Sequence, residues 1–135
     1  MIVCYLDRES LVSIYAGITM DKFQEIVEKL KAFRHARNWE QFHTPKNLSM
    51  GITIEASELM QEFLWKNDEE VFQRIKEHRE NVADEIADIA SYVFLLADDL
   101  GLDLFAEIER KMAKNAEKYP VEKCFGKATK YNELK

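Results

Sequence analysis

The chain has 135 residues, enough for one domain with a hydrophobic core but not for two. Apolar residues make up 47% of it and charged residues 33%, so a soluble globular protein is expected rather than a disordered one. The net charge of −6 argues against a general nucleic-acid binder, and no apolar run is long enough to cross a membrane. Cys4 and Cys124 lack the spacing of a metal site or a disulfide framework, so a reducing cytoplasm is the expected location.

Only four glycines and two prolines interrupt the chain, which favours long helices. Residues 1–19 are expected to form an N-terminal extension, as a strand or an irregular arm, that is either functional or not native to the domain. The domain itself is expected over residues 20–135. Its first helix should begin near Asp21 and end near Arg37, because apolar residues recur at intervals of three and four in this stretch.

The segment 38–45 is predicted to be a loop because a proline ends it. It contains Trp39 and Phe42 and, next to them, His43. Such aromatic residues usually pack against a core, although their flat faces also suit a nucleobase. Glu40 and His43 have the ExxH spacing of di-iron bundles, but no second ExxH is present, which disfavours a di-iron oxidase.

Further helices are predicted over residues 47–65 and 81–100. Between them, residues 67–70 form a polar turn and residues 71–75 a short amphipathic piece. The polar run 77–81 interrupts the apolar pattern and predicts a break in this part of the bundle.

Two acidic pairs dominate these helices, Glu55 with Glu58 and Glu85 with Asp88. Residues three apart share one face of a helix, so each pair directs two carboxylates the same way. Tyr92 extends the face of the second pair by one turn. The alternative is that both pairs lie on ordinary solvated helix faces.

The surroundings of the acidic pairs are apolar, and residues 86–97 predict a buried helix. Ionised carboxylates are costly there without a partner, and no lysine or arginine lies between Val82 and Ile108. A hard divalent cation, Mg²⁺ or Mn²⁺, held by the carboxylate oxygens of both pairs is the simplest solution. Asp98 and Asp99, at the end of that helix, are expected to be solvated.

The last helix is predicted after Asp103, which can cap its N-terminus. Lys111, Asn115 and Lys118 then fall on one face of this helix. Such a face can bind the phosphates of a nucleotide, or it can be an ordinary solvated surface.

These residues together resemble a known family. An ExxE motif followed about one helix later by ExxD resembles the MazG-like, all-α nucleoside triphosphate pyrophosphatases, and the dCTP pyrophosphatase branch in particular. The resemblance runs from about Phe23 to Leu134. It also rests on these segments: residues 38–43 (NWEQFH), 45–48 (PKNL), 63–66 (FLWK) and 118–120 (KYP).

The resemblance implies an all-α bundle of about four helices, one of them interrupted, that assembles as a homodimer or homotetramer with sites near subunit interfaces. It implies metal binding by Glu55, Glu58, Glu85 and Asp88, with Glu55 and Glu58 also catalytic. The substrate-binding residues that it implies are Trp39, His43, Trp65, Tyr92, Lys111, Asn115 and Lys118.

Two positions depart from the family pattern. Many relatives have an acid immediately before the first motif, where this chain has Ile54, so Glu58 or a water activated by the metal would have to replace it as general base. The related dCTP enzymes usually have an acid two residues after Lys111, where this chain has Ala113. Discrimination of sugar or base by that acid is therefore left open.

The expected function is Mg²⁺-dependent hydrolysis of a nucleoside triphosphate, of the deoxycytidine type or non-canonical, to monophosphate and pyrophosphate, as a means of cleaning the nucleotide pool. Neither a nucleic-acid polymer nor a membrane is an expected partner. One alternative is a non-catalytic helical interaction module whose acids bind a structural cation or a basic partner. A phosphoribosyl-ATP pyrophosphohydrolase-like enzyme is another, but it would not require Trp39 and Trp65.

Overall fold

The computed structural model describes the backbone of residues 8–133 and the side chains of residues 22–133. Within that range all regular secondary structure is helical, which confirms the predicted all-α class. None of these helices is long and apolar enough to span a bilayer. The elements are α1 (Arg8–His35), α2 (Pro45–Phe63), α3 (Asp68–Glu77), α4 (Arg79–Asp99), α5 (Leu104–Lys118), the single-turn α6 (Val121–Cys124) and a 3-10 turn (Tyr131–Glu133).

The chain divides into two compact units, Met1–Asp99 and Leu100–Lys135. In the first unit α4 is central, since it packs along α2 and also contacts α1 and α3. Among the side chains of residues 22–99, the fully or nearly buried apolar ones are Val27, Leu48, Val82, Leu95 and Ala97.

Helix α1 begins at Arg8, so the predicted start near Asp21 is wrong. No proline occurs between Arg8 and His35, and apolar residues continue at helical spacing before Asp21, so the sequence contains no signal that stops the helix there. The strand or irregular arm predicted for residues 1–19 is therefore wrong for residues 8–19. Residues 1–7 lie outside the described part, and the division at residue 20 stays a prediction.

Side-chain caps define the N-termini of α2, α3 and α5. The Thr44 hydroxyl accepts a hydrogen bond from the backbone N–H of Asn47, and Pro45 occupies the first turn of α2. Asn67 and Glu70 form a reciprocal capping box at α3. Asp103 caps α5 as predicted. The break predicted between residues 77 and 81 is confirmed at His78, where α3 ends and α4 begins.

Gly51 of α2 lies directly against the Tyr92 ring of α4. A Cβ atom at position 51 would lie 3.1 Å from the Tyr92 ring. The absence of a side chain at Gly51 thus allows the aromatic ring to lie directly against the backbone of α2. The next turns of the two helices carry the acidic residues, so this contact sets how far apart those residues are.

We expect Gly51→Leu to destabilise the protein by about 1–3 kcal/mol, because the added side chain must displace Tyr92 or separate α2 from α4. Urea denaturation of the two proteins measures this. Gly51→Ala is the matched control: the ring must move by only a few tenths of an ångström, and the gain in helix propensity of about 1 kcal/mol offsets that strain. Equal stabilities of the Leu and Ala variants would contradict the close approach.

Candidate active site

Three carboxylates converge between α2 and α4. Helix α2 contributes Glu55 and Glu58, one turn apart, and α4 contributes Glu85. One oxygen from each of these residues lies within 4.8 Å of the others. Glu55 and Glu85 are half-buried, whereas Glu58 is exposed. We call these three residues the acidic cluster.

Asp88, the fourth predicted ligand, lies beside the acidic cluster without being one of its converging members. Its side chain is exposed, and its negative charge is near enough to raise the pKa of Glu55. Asp88 also borders the neighbouring cavity. The structure therefore brings the four predicted ligands into one region, with three of them in close contact.

The carboxylates in this region repel one another. Partial desolvation raises the pKa of the Glu55 carboxyl, and the charges of Glu58, Asp88 and Glu85 raise it further. Desolvation, followed by the charges of Glu58 and Asp88, likewise raises the pKa of Glu85. Within residues 22–133, none of these four acids forms an ion pair with a lysine, arginine or histidine. Their oxygens are the donors that hard divalent cations prefer, so the residues present fit such an ion.

The apolar interior predicted around these acids is wrong for a single chain. Glu58 and Asp88 are exposed, and Ile54 and Ile86, which flank the two pairs in sequence, are each 53% exposed. A helix that is apolar on several faces can be buried within its own chain or against another molecule. The sequence alone does not distinguish these two cases.

The raised pKa values predict how stability depends on pH in the metal-free protein. A carboxyl group whose pKa is higher in the folded state contributes stability below its unfolded pKa and loses that contribution as the pH rises through the folded value. With EDTA present, Glu55→Gln should therefore gain stability relative to wild type as the pH rises from about 4.5, the ordinary glutamate pKa, to neutrality. Thermal unfolding across that range measures the difference. A difference that does not change with pH would contradict mutual repulsion.

A cavity of about 230 Å³ adjoins the acidic cluster at Asp88. Three of the predicted substrate residues, Trp39, His43 and Tyr92, line it together. The His43 ring lies 5.9 Å from Trp39 and 6.1 Å from Tyr92, measured between ring centroids. The structure thus forms an aromatic cavity one helical turn from the carboxylates.

The surroundings of the His43 imidazole favour its neutral form. Partial burial lowers its pKa, and the positive charge of Arg34 lowers it further. Its Nδ1 atom and the Nε atom of Arg34 are buried without hydrogen-bond partners in the described part of the chain. Both residues line the cavity, so its wall contains polar as well as aromatic residues.

Arg34, which lines this cavity, belongs to an ion pair that was not predicted from the sequence. The Arg34 guanidinium donates two hydrogen bonds to the Asp99 carboxylate, at 2.7 and 2.9 Å, and Lys31 lies 3.1 Å from Asp98. The prediction that both aspartates are merely solvated is therefore wrong. The sequence contains one sign of this ion pair. Arg34 follows Leu30 by four residues and so interrupts an otherwise apolar face of the helix.

Trp65 is not part of this cavity. It follows the end of α2, is 93% exposed, and has a positive φ of 62°. The helix from Gly51, which faces Tyr92, to Phe63 is about 18 Å long at a rise of about 1.5 Å per residue. Within one chain, Trp65 and Tyr92 therefore cannot contact the same nucleobase.

The three predicted phosphate residues lie in the second unit. Lys111, Asn115 and Lys118 are all exposed on α5, where their spacing places them on one face. The Lys118 ammonium lies 5.1 Å from the centre of the Tyr131 ring, within range of a cation–π interaction.

A family model described as the MazG-like family matches residues 50–134, which include the acidic cluster, Asp88 and Tyr92. The chain belongs to the MazG-like family. The similarity extends upstream of that match, since dCTP pyrophosphatase 1 of Bos taurus is 39% identical over 113 residues, 82% of this chain and 67% of that protein. The Homo sapiens protein of the same name is 35% identical over 113 residues, with 82% and 66% covered.

A solved structure supports the same assignment. A pyrophosphatase from Archaeoglobus fulgidus DSM 4304 matches this MazG-like chain with a TM-score of 0.69 and 38% sequence identity, over 72% of this chain and 91% of that one. This MazG-like chain spans about two thirds of the length of the dCTP pyrophosphatases.

Proposed function

We propose that this protein hydrolyses nucleoside triphosphates to the monophosphate and pyrophosphate, and that it thereby removes dCTP-like or non-canonical nucleotides from the pool. Membership of the MazG-like family and the names of its relatives support this activity. The observation that carries the proposal is the acidic cluster, which has no cationic partner in residues 22–133 and lies beside the aromatic cavity.

The proposal assigns metal binding to Glu55, Glu58, Glu85 and Asp88. Mg²⁺ is the expected ion, and Mn²⁺ accepts the same oxygen ligands. When bound, such an ion neutralises phosphate charge and lowers the pKa of water. Asp88, which lies between the acidic cluster and the cavity, would be the ligand closest to the nucleoside.

The reaction transfers the α-phosphoryl group to water. A water oxygen bonds to the α-phosphorus while the bond from that phosphorus to the α–β bridging oxygen breaks, and pyrophosphate leaves. The water loses a proton in this step. Glu55 and Glu58 are the proposed catalytic pair. Because Ile54 leaves no acid immediately before Glu55, the proposed acceptor of the proton is the exposed Glu58, with a water activated by the metal as the alternative.

The base would lie in the cavity, stacked on Trp39 or Tyr92, with the neutral His43 imidazole available for a hydrogen bond. Lys111, Asn115 and Lys118 are proposed to bind phosphate or sugar. Because the length of α2 separates Trp65 from the cavity, Trp65 would contact the base of a nucleotide only in another copy of the chain.

We propose that the protein assembles as a homodimer or homotetramer. Single-chain exposure of apolar side chains on α2 and α4 supports such an assembly, since isolated monomers rarely expose so many. The exposed large apolar residues on these two helices include Met50, Ile54, Met60 and Ile86.

The test is a panel of ribo- and deoxynucleoside triphosphates offered to the purified protein with Mg²⁺. We expect equimolar pyrophosphate and monophosphate from at least one deoxynucleotide, with both products lost in EDTA and in the Asp88→Asn variant. No release across the whole panel from folded protein would contradict the proposal and favour the non-catalytic interaction module.

A further inference from the structure

An ion pair extends the acid-bearing face of α2 by one turn. Glu62 follows Glu58 by four residues and is half-buried, with 16% of its side chain exposed. Its carboxylate accepts a hydrogen bond of 2.7 Å from Nε of Arg74, on α3. Arg74 uses only Nε in this contact. Its two terminal amino groups have no hydrogen-bond partner in the described part of the chain.

Glu62 is therefore unlike the members of the acidic cluster. Its charge is compensated within the chain, and Arg74, followed by His78 and Lys66, lowers the pKa of its carboxyl. The Arg74 guanidinium is thus in contact with this turn of α2, directly after the turn that carries the acidic cluster. A nucleoside triphosphate carries most of its negative charge on its terminal phosphates, which favour such surroundings.

The order of groups along α2 matches the order of groups in an extended nucleotide. Tyr92 faces Gly51 at one end, Glu55 and Glu58 follow, and Glu62 with Arg74 comes last. The helix from Gly51 to Glu62 is about 16 Å long at a rise of about 1.5 Å per residue. A base beside Tyr92 and an α-phosphate at the acidic cluster would therefore place the terminal phosphates near Arg74.

We propose that Arg74 binds the β- and γ-phosphates of the substrate, and hence the departing pyrophosphate, with Glu62 as the residue that positions it. The inference rests on the proposed function, because it assigns the terminal phosphates of that same substrate. A guanidinium held at Nε is well suited to this role, since its remaining donors keep the planar geometry that matches phosphate oxygens.

The experiment is inhibition of the full-length wild-type enzyme and of Arg74→Gln by inorganic pyrophosphate and, separately, by the nucleoside monophosphate. Loss of charge-assisted hydrogen bonds should weaken pyrophosphate inhibition by about ten- to hundredfold. Inhibition by the monophosphate, which lacks the terminal phosphates, should change by less than about twofold. Equal weakening of both inhibitors, or of neither, would overturn the proposal.

Two further variants separate this role from a structural one. Arg74→Gln leaves Glu62 without its partner, so the double variant Glu62→Gln/Arg74→Gln replaces the ion pair by two neutral amides. If Arg74 only stabilised the fold, the double variant would recover wild-type pyrophosphate inhibition; we expect it to stay impaired. Arg79→Gln, which removes the same charge from an exposed residue beside Ile75 and Ile86, should leave both inhibitors unchanged.

Failure of this inference is distinguishable from failure of the proposed function. If wild type released no pyrophosphate from any triphosphate, the proposed function would fail first. If wild type were active and Arg74→Gln kept full sensitivity to pyrophosphate, only the role of Arg74 would be rejected.

Discussion

Glu55→Gln is expected to lower kcat/KM for the preferred triphosphate at least about a hundredfold, since even outer-shell changes at metal sites cost about 10- to 100-fold. Glu55 is a half-buried member of the acidic cluster, and its oxygen lies within 4.8 Å of those of Glu58 and Glu85. The change removes one negative charge and one oxygen ligand while preserving the side chain's size. Steady-state pyrophosphate release measures the expected loss of activity. Calorimetric titration with Mn²⁺ measures the expected loss of metal affinity.

Glu80→Gln provides the matched control for that loss. Glu80 is exposed on α4 and lies outside the converging carboxylates, so its removal changes net charge by the same amount without removing a ligand. We expect metal affinity and activity close to those of wild type. Equal losses in the Glu55 and Glu80 variants would show that overall charge, rather than coordination, explains the effect.

Asp99→Ala is expected to lower the free energy of unfolding by about 2–3 kcal/mol, in line with hydrogen bonds to charged groups. The substitution leaves Arg34, only 8% exposed, without the carboxylate that accepts both of its terminal hydrogen bonds. The cost of breaking a fully buried pair would be larger, but 24% of the Asp99 side chain is exposed. Urea denaturation of the metal-free protein is the measurement.

Asp98→Ala gives the contrast within the same helical turn. Its partner Lys31 is 38% exposed, and exposed ion pairs contribute about 0–1 kcal/mol. We therefore expect a small change for Asp98→Ala beside a large one for Asp99→Ala. Similar stability losses in both variants would contradict the burial argument.

The Asp99→Ala variant should also raise KM. The backbone carbonyl of Arg34 accepts a hydrogen bond from the Trp39 N–H, so a displaced Arg34 should disturb the cavity.

Much of the fold could be predicted from local sequence signals. The predicted start of α2 at residue 47 lies two residues from the observed start at Pro45. Asp103 predicts the start of α5, and the polar run 77–81 predicts the break between α3 and α4. These features depend on capping and periodicity, which act over a few residues. The start of α1 was missed because a helix that continues upstream has no signal at Asp21.

The candidate site was partly predictable for a similar reason. Spacing alone places Glu55 with Glu58, and Glu85 near Asp88, on single helix faces. That these faces meet depends on the close approach at Gly51, which is a tertiary contact. The pairing of Arg34 with Asp99 joins residues 65 positions apart and has no local signature. The separation of Trp65 from the cavity likewise depends on the tertiary contact of Tyr92 with Gly51, which places the cavity at the opposite end of α2.

The most direct test of the central claim is hydrolysis of dCTP in water enriched in ¹⁸O, followed by mass analysis of both products. Attack of water on the α-phosphorus beside the acidic cluster predicts label in dCMP, unlabelled pyrophosphate, and no reaction in EDTA. Label in pyrophosphate, formation of dCDP with orthophosphate, or hydrolysis that persists without a divalent cation would contradict the account.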